Sequence, residues 1–284
     1  MLGTDCKKIY NSKDYYRKRL KTLENERYIR RVNTSYIKLD DKGTKLVKTF
    51  GYNYSFSCRK KEYIERMCEI ARIAALTLGS NIKFVASWDL KDNNIFTETS
   101  RKYLGELSYN DKKILVYYIS KNKKISYISQ VKNDIRKIIG YKDIIIFTEN
   151  MKILKQNSNF IFGKNSTVII DPTYENLEII RNIEKIDFYK IIKKIYLDKE
   201  ILLSNWKNAD YMTEDEEYII LMPFIDTEKL HRINIFFNDN KNTNKKINIM
   251  TLKENKQKIE EILTKITNII EIDNLLIGGA NEGY

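Results

Sequence analysis

The stretch Asn11–Val47, NSKDYYRKRLKTLENERYIRRVNTSYIKLDDKGTKLV, decides how the rest of the chain is read. Its first half carries a helical period. Tyr16, Leu20 and Leu23 recur at i, i+4 and i+7, which predicts one apolar stripe on a helix from Asn11 or Ser12 to about Glu26. Ser12 suits the N-cap, and Asp14 puts a carboxylate in the first turn, where the helix dipole favours negative charge. Lys13, Arg17 and Lys21, spaced by four, form a separate basic stripe with Lys18 beside it. The second half changes period. Two β-like runs, Tyr28–Val32 and Tyr36–Leu39, flank the turn-forming triplet Asn33-Thr34-Ser35. Asp40, Asp41 and Gly43 then break the pattern before a short helical piece.

A basic helix followed by a positively charged hairpin is the geometry of a winged helix, in which the helix enters the major groove and the hairpin rests on flanking phosphates. The plainer alternative is a surface helix and hairpin whose Lys and Arg only solubilise. Charge distribution separates the two. Residues 1–61 hold 17 Lys and Arg against 6 Asp and Glu, a balance of +11 out of the chain's +13. From Glu200 to Tyr284 there are 10 against 15, a balance of −5. Such concentration fits a phosphate-binding surface better than uniform solubilisation. The expected DNA contacts divide by role. Lys13, Arg17, Lys18 and Lys21 belong to the helix, with Arg17 best placed to reach a base edge, whereas Arg30, Arg31 and Lys38 belong to the wing and meet phosphates. Arg19 lies nearer the apolar side and is expected to turn toward the protein.

The pattern RLKTLENERYIRR followed by SYIKLDDKG resembles the recognition helix and wing of winged-helix proteins. More narrowly, it resembles the replication-relaxation family of bacterial plasmids and mobile elements. Arg19-Leu20, Leu23, Tyr28-Ile29-Arg30-Arg31, Tyr36–Leu39 and Gly43 fill the places of that family's pattern. The likeness covers roughly the first sixty residues, and the rest only by element order. The chain departs from it in one respect: a winged helix has two helices before its recognition helix, and only about ten residues precede Ser12. Met1–Asp5 is read as the end of one of them, with the remainder truncated or supplied from elsewhere. The resemblance implies double-stranded DNA as the partner and replication of a plasmid or mobile element as the setting.

Composition narrows the chemistry. Cys6, Cys58 and Cys68 have no Cys-x-x-Cys spacing, and His231 is the single histidine, read as an ordinary strand-end residue. That leaves no zinc-ligand set and almost no base for a Ser–His or Cys–His nucleophile. No Gly-x-x-x-x-Gly-Lys or Gly-x-Gly-x-x-Gly loop is present, so no nucleotide cradle and no cofactor is expected. Free thiols fit a reducing cytoplasm. No apolar run reaches membrane-span length, and no signal-peptide core opens the chain. The abundance of Lys, Asn, Ile and Tyr suggests A/T-rich coding, which weakens any single Lys as a signal.

After a boundary near residue 55, the expected order is a helix from Lys60 to Leu78 closed by Gly79, then strands Ile82–Trp88, Arg101–Leu107 and Lys113–Ser120, the last two joined by a turn at Asn110-Asp111. A helix Ser126–Ile139 ends at Gly140, and Asp143–Phe147 is wholly apolar beyond its first residue, as in a parallel strand buried on both faces. A short helix, a buried strand Thr167–Ile170 and a helix Tyr174–Ile183 follow. This is the order of a restriction-endonuclease-like core, which the resemblance also implies for residues 56–204. Such nucleases hold Mg²⁺ between an acid on one strand and a Glu-x-Lys pair on the next. Here the third strand carries no acid, Glu106 on the second has no acidic partner, and Glu149 and Asp171 read as strand-end residues, so the core is expected to be catalytically silent. Beyond it come a helix Ile186–Ser204 and, from 205 to 284, a β-β-β-α extension: strands Tyr218–Ile225, Ile233–Asn238 and Ile247–Thr251, then a helix Glu254–Ile270.

The fold class expected is therefore α/β, with an N-terminal winged helix-turn-helix over 1–55, the nuclease-like domain and the C-terminal extension. The function expected is duplex DNA binding in plasmid or mobile-element replication, without metal or cofactor. The acidic C-terminal part is left to pair with a second copy or a replication protein. A winged-helix transcriptional regulator or antitoxin-type repressor and a metal-dependent nuclease are the alternatives.

Overall fold

A computed structural model of the chain describes residues 14–32, 36–50, 61–78, 80–90, 102–121, 123–149, 166–239, 246–263 and 268–272. The fold is mixed α/β, in two compact units, Met1–Ser87 and Trp88–Tyr284. The sequence by itself puts boundaries near 55 and 204.

Unit 1 begins with helix α1 (Tyr15–Asn25), then the antiparallel pair β1 (Ile29–Arg31) and β2 (Ile37–Leu39). Helix α2 (Asp41–Thr49), helix α3 (Lys61–Leu76) and strand β3 (Lys83–Ala86) complete it. Along α3, Cys68, Ile70, Ile73 and Leu76 are buried, and Arg66 donates to the Ser87 hydroxyl at 2.9 Å. The Ser12 cap, the Asn33–Ser35 turn and the Gly79 helix stop lie outside the described residues.

Unit 2 opens with β4 (Gly105–Tyr109) and β5 (Lys112–Ile119), an antiparallel hairpin. Asn110 and Asp111 turn it with φ of 44° and 62°, the left-handed pair that a two-residue type I′ turn requires. Helix α4 (Ile125–Arg136) leads to β6 (Asp143–Thr148), parallel to β5 on one side and to β7 (Ser166–Ile170) on the other. Flanked by strands on both sides and covered on both faces, Ile144–Phe147 is buried throughout. Helix α5 (Tyr174–Asn182) follows. Its N-cap is Thr173, whose hydroxyl accepts the Asn176 N–H at 3.2 Å, while the Asp171 carboxylate accepts from Lys258 Nζ at 2.6 Å.

The C-terminal third departs from the β-β-β-α expectation. The Ile186–Ser204 helix divides into α6 (Phe188–Ile195) and strand β8 (Ile201–Leu203), which pairs antiparallel with β9 (Tyr211–Thr213). Strand β10 (Tyr218–Leu221) continues that sheet, and β11 (Ile225–Asp226) crosses to pair antiparallel with β7. The segment Ile233–Asn238 is helical, within α7 (Thr227–Asp239), and His231 is a helix residue rather than a strand end. Its apolar side chains alternate loosely, but Leu230 and Ile233 are buried three apart, the helical spacing. Strand β12 (Ile247–Leu252) lies parallel to β10, α8 (Lys253–Ile262) replaces a longer helix, and β13 (Asn268–Ile272) takes the segment expected to finish that helix, parallel to β12.

One sheet thus runs β13-β12-β10-β9-β8, and in the other the unit 2 strands run β11-β7-β6-β5-β4. A single core joins them: Leu115, Tyr117, Ile144 and Ile169 from one share a cluster with Ile220, Ile249 and Ile269 from the other. Because β11 completes the sheet of β7, residues 205–284 are built into unit 2 and are not an appendage.

Candidate nucleic-acid interface

The structural division keeps the charge asymmetry, +11 in unit 1 against +2 in unit 2. Unit 1 holds 20 Lys and Arg against 9 Asp and Glu, whereas unit 2 holds 31 against 29.

Helix α1 is seated by Leu20, which is 6% exposed, with Tyr16 and Leu23 half-buried beside it. Arg17, Lys18 and Lys21 are exposed, and at 100° per residue they fall within about one third of the helix circumference, Arg17 nearest Leu20 and Lys18 farthest from it. Arg17 lies against Tyr16: its Nε donates to the phenol oxygen at 3.3 Å and its guanidinium is 5.9 Å from the ring centroid. Arg19 is exposed and does not turn inward. Lys13 lies outside the described residues.

The helix ends in a turn that aims the hairpin. Arg27 adopts φ of 64°. Its N–H donates to Glu24 O at 3.0 Å and that of Tyr28 to Leu23 O at 2.9 Å, the two bonds of a Schellman motif with arginine in the left-handed place usually given to glycine. Arg27 is then held by Asp41 at 3.1 Å.

In the hairpin Ile29 faces Leu39, Arg30 faces Lys38 and Arg31 faces Ile37. Alternation puts Arg30 and Lys38 on one face, and Ile29, Arg31, Ile37 and Leu39 on the other. Directly opposed cations cost a two-stranded ribbon stability. Arg30 approaches Asp40 only at 3.9 Å, and Lys38 is half-buried. Arg31 has a different setting: its Nε donates to Glu24 Oε2 on α1 at 3.2 Å, so it ties the hairpin to the helix.

Sequence reading grouped Arg30, Arg31 and Lys38 together; register brings Arg30 and Lys38 together and separates Arg31. It passed over α2, on which Lys42, Lys45 and Lys48 are exposed at spacings of three. The sequence predicts a short helical piece here, and its formation as α2 turns that spacing into a basic face.

In unit 2, Glu106 on β4 is buried, accepts from the Tyr141 hydroxyl and lies 3.7 Å from Lys113 Nζ. Strand β5 carries no acid. Among the described residues no group of three or more His, Cys, Asp or Glu is placed to hold a metal ion, and no helix is long and apolar enough to cross a membrane. Comparison of the chain with protein-family models, with curated proteins and with solved structures finds no match.

Proposed function

We propose that this chain binds double-stranded DNA through unit 1, with α1 as the recognition helix and the β1–β2 hairpin as the wing of a winged helix. The observation that carries the reading is the register pairing of Arg30 with Lys38. Two cations set opposite each other on one face suit a phosphate oxygen between them. The exposed Arg17, Lys18 and Lys21 supply the helix side of the same ligand.

Unit 2 is read as a restriction-endonuclease-like core without nuclease activity. The β4–β5 hairpin and parallel β6 and β7 support the core, and the engagement of Glu106 with Tyr141 and Lys113 supports its silence. The likeness of Arg19-Leu20, Leu23 and Tyr36–Leu39 to the replication-relaxation pattern supports replication of a bacterial plasmid or mobile element as the setting. Cytoplasmic location and pairing with a second copy or a replication protein belong to the same reading.

A footprint on DNA from the replicon that encodes the chain tests it. A protected site beside the replication origin, lost when Arg17, Arg30 and Lys38 are all changed to Ala, supports the proposal. A folded triple variant that protects the same site as well as the parent sinks it.

A further inference from the structure

Unit 2 is nearly neutral, yet its residues 121–142 hold seven Lys and Arg against one acid, Asp134. The fold turns that acid inward. Asp134 is 5% exposed, and its carboxylate accepts the backbone N–H of Lys102 at 2.7 Å. Burial raises its pKa, with the Lys102 amide opposing the shift. It therefore fixes Lys102 beside α4 and leaves the outer face of the helix without an acid.

Ile128, Val131 and Ile135 bury the inner face of α4. On the outer face Ser126, Ser129, Gln130, Asn133 and Arg136 are exposed, all of them hydrogen-bonding groups. Lys132 stands one turn before Arg136, and burial together with that neighbouring cation lowers its pKa. Like charges at this spacing disfavour an isolated helix. On the opposite flank of α4, half a turn from Arg136, the Tyr127 ring lies 5.0 Å from Lys123 Nζ and 5.6 Å from Lys102 Nζ.

We propose that the outer face of α4, with exposed Lys124 just before it and Arg136 at its end, is a second DNA surface that takes the phosphate backbone. The inference rests on the reading of the chain as a DNA-binding protein for the identity of the polyanion. The twelve residues of α4 span about 18 Å, against which a duplex presents roughly ten phosphate charges. Backbone contacts need cations and small hydrogen-bond donors and carry no sequence code, which is what this face offers. A protein partner would need apolar anchors near the centre of the face. The exposed apolar residues are Ile125 at its start and Ile139 beyond its end.

The test uses the full chain and a labelled random-sequence duplex, with affinity measured across a salt series. Lys124→Gln with Arg136→Gln changes two exposed residues, and thermal melting verifies the fold. The expected result is a slope of log affinity against log salt that is shallower by about two. An unchanged slope in the folded variant overturns the proposal. If the slope is unchanged but Arg17→Ala with Arg30→Ala and Lys38→Ala loses affinity, this surface falls and the unit 1 reading stands. If only the α4 variant loses affinity, the unit 1 reading falls and this one stands. Absence of duplex binding by the parent protein removes both. A change in sedimentation without DNA, at unchanged slope, makes the face a protein contact and also overturns the proposal.

Discussion

A Cβ on Gly43 would lie 2.0 Å from the carbonyl oxygen of Tyr28. That oxygen already accepts the Asp40 N–H at 2.9 Å, where β2 gives way to α2. The first turn of α2 therefore packs directly on the backbone that starts the hairpin. Gly43 occupies a place in the family-like pattern, and the structure supplies a steric reason for it. Gly43→Ala is expected to destabilise unit 1 by about 2–3 kcal/mol, since the obstruction is backbone and has no rotamer to yield. Melting followed by circular dichroism checks this. An unchanged unfolding transition would show that α2 does not sit so closely on Tyr28.

Helix and wing should respond differently to truncation. Arg17→Ala should narrow the gap between a footprinted site and scrambled duplex, because an arginine on a guanine edge is worth about 1–3 kcal/mol of discrimination. Arg30→Ala and Lys38→Ala should weaken both duplexes alike and reduce the salt slope by about one each. Arg31→Ala should leave the slope unchanged, because that side chain is turned to Glu24. Binding curves at several salt concentrations decide the matter. A loss of specificity from the wing variants, with none from Arg17→Ala, would mean that the docking is reversed.

Glu106 should matter for stability and not for cleavage. Supercoiled DNA is expected to remain intact with Mg²⁺ or Mn²⁺. Glu106→Ala is expected to cost about 1–3 kcal/mol, because it removes the buried carboxylate that accepts from Tyr141. Metal-dependent nicking by the parent protein that disappears in Glu106→Ala would overturn both statements.

Asp226 links unit 2 to pH. Its carboxylate accepts the N–H groups of Glu228 and Lys229 at 2.9 and 3.0 Å, capping α7. Burial is the largest influence on it and raises its pKa above the ordinary 3.8, against the pull of those bonds. The folded state therefore holds the proton to higher pH than the unfolded chain does. By linkage, this group's contribution to stability falls as pH rises from 3.8 through the raised folded value, and is level above it. Asp226→Asn keeps an acceptor and removes the titration, so its melting temperature should gain on the parent's across that interval. A constant difference would show that Asp226 titrates alike in both states.

Strong local signals made much of the fold legible in the sequence. The stripe Tyr16, Leu20, Leu23 is a helix period, and α1 has it facing inward. Asn110-Asp111 tolerates left-handed backbone at both positions, so the β4–β5 turn could be read without its surroundings. The apolar run after Asp143 is too short for a buried helix and too uniformly apolar for an edge strand, and it became the parallel strand β6. The sequence also determined that positive charge would gather in the first sixty residues, since charge needs no geometry to be counted.

Tertiary structure decided the rest where local signals tie. Ile233–Asn238 suits a strand or a helix by composition, and helix prevailed where Leu230 and Ile233 could share the core of both sheets. The end of the expected last helix became β13 because β12 offers it a parallel partner from Asn268 to Ile272. Strand β11 is two residues long and has no period at all; only its pairing with β7 makes it a strand. At the candidate interface, Arg30, Arg31 and Lys38 are alike as letters. Register alone sets Arg30 against Lys38 and turns Arg31 to Glu24, because a strand sends successive side chains to opposite faces and the partner strand determines which of them meet.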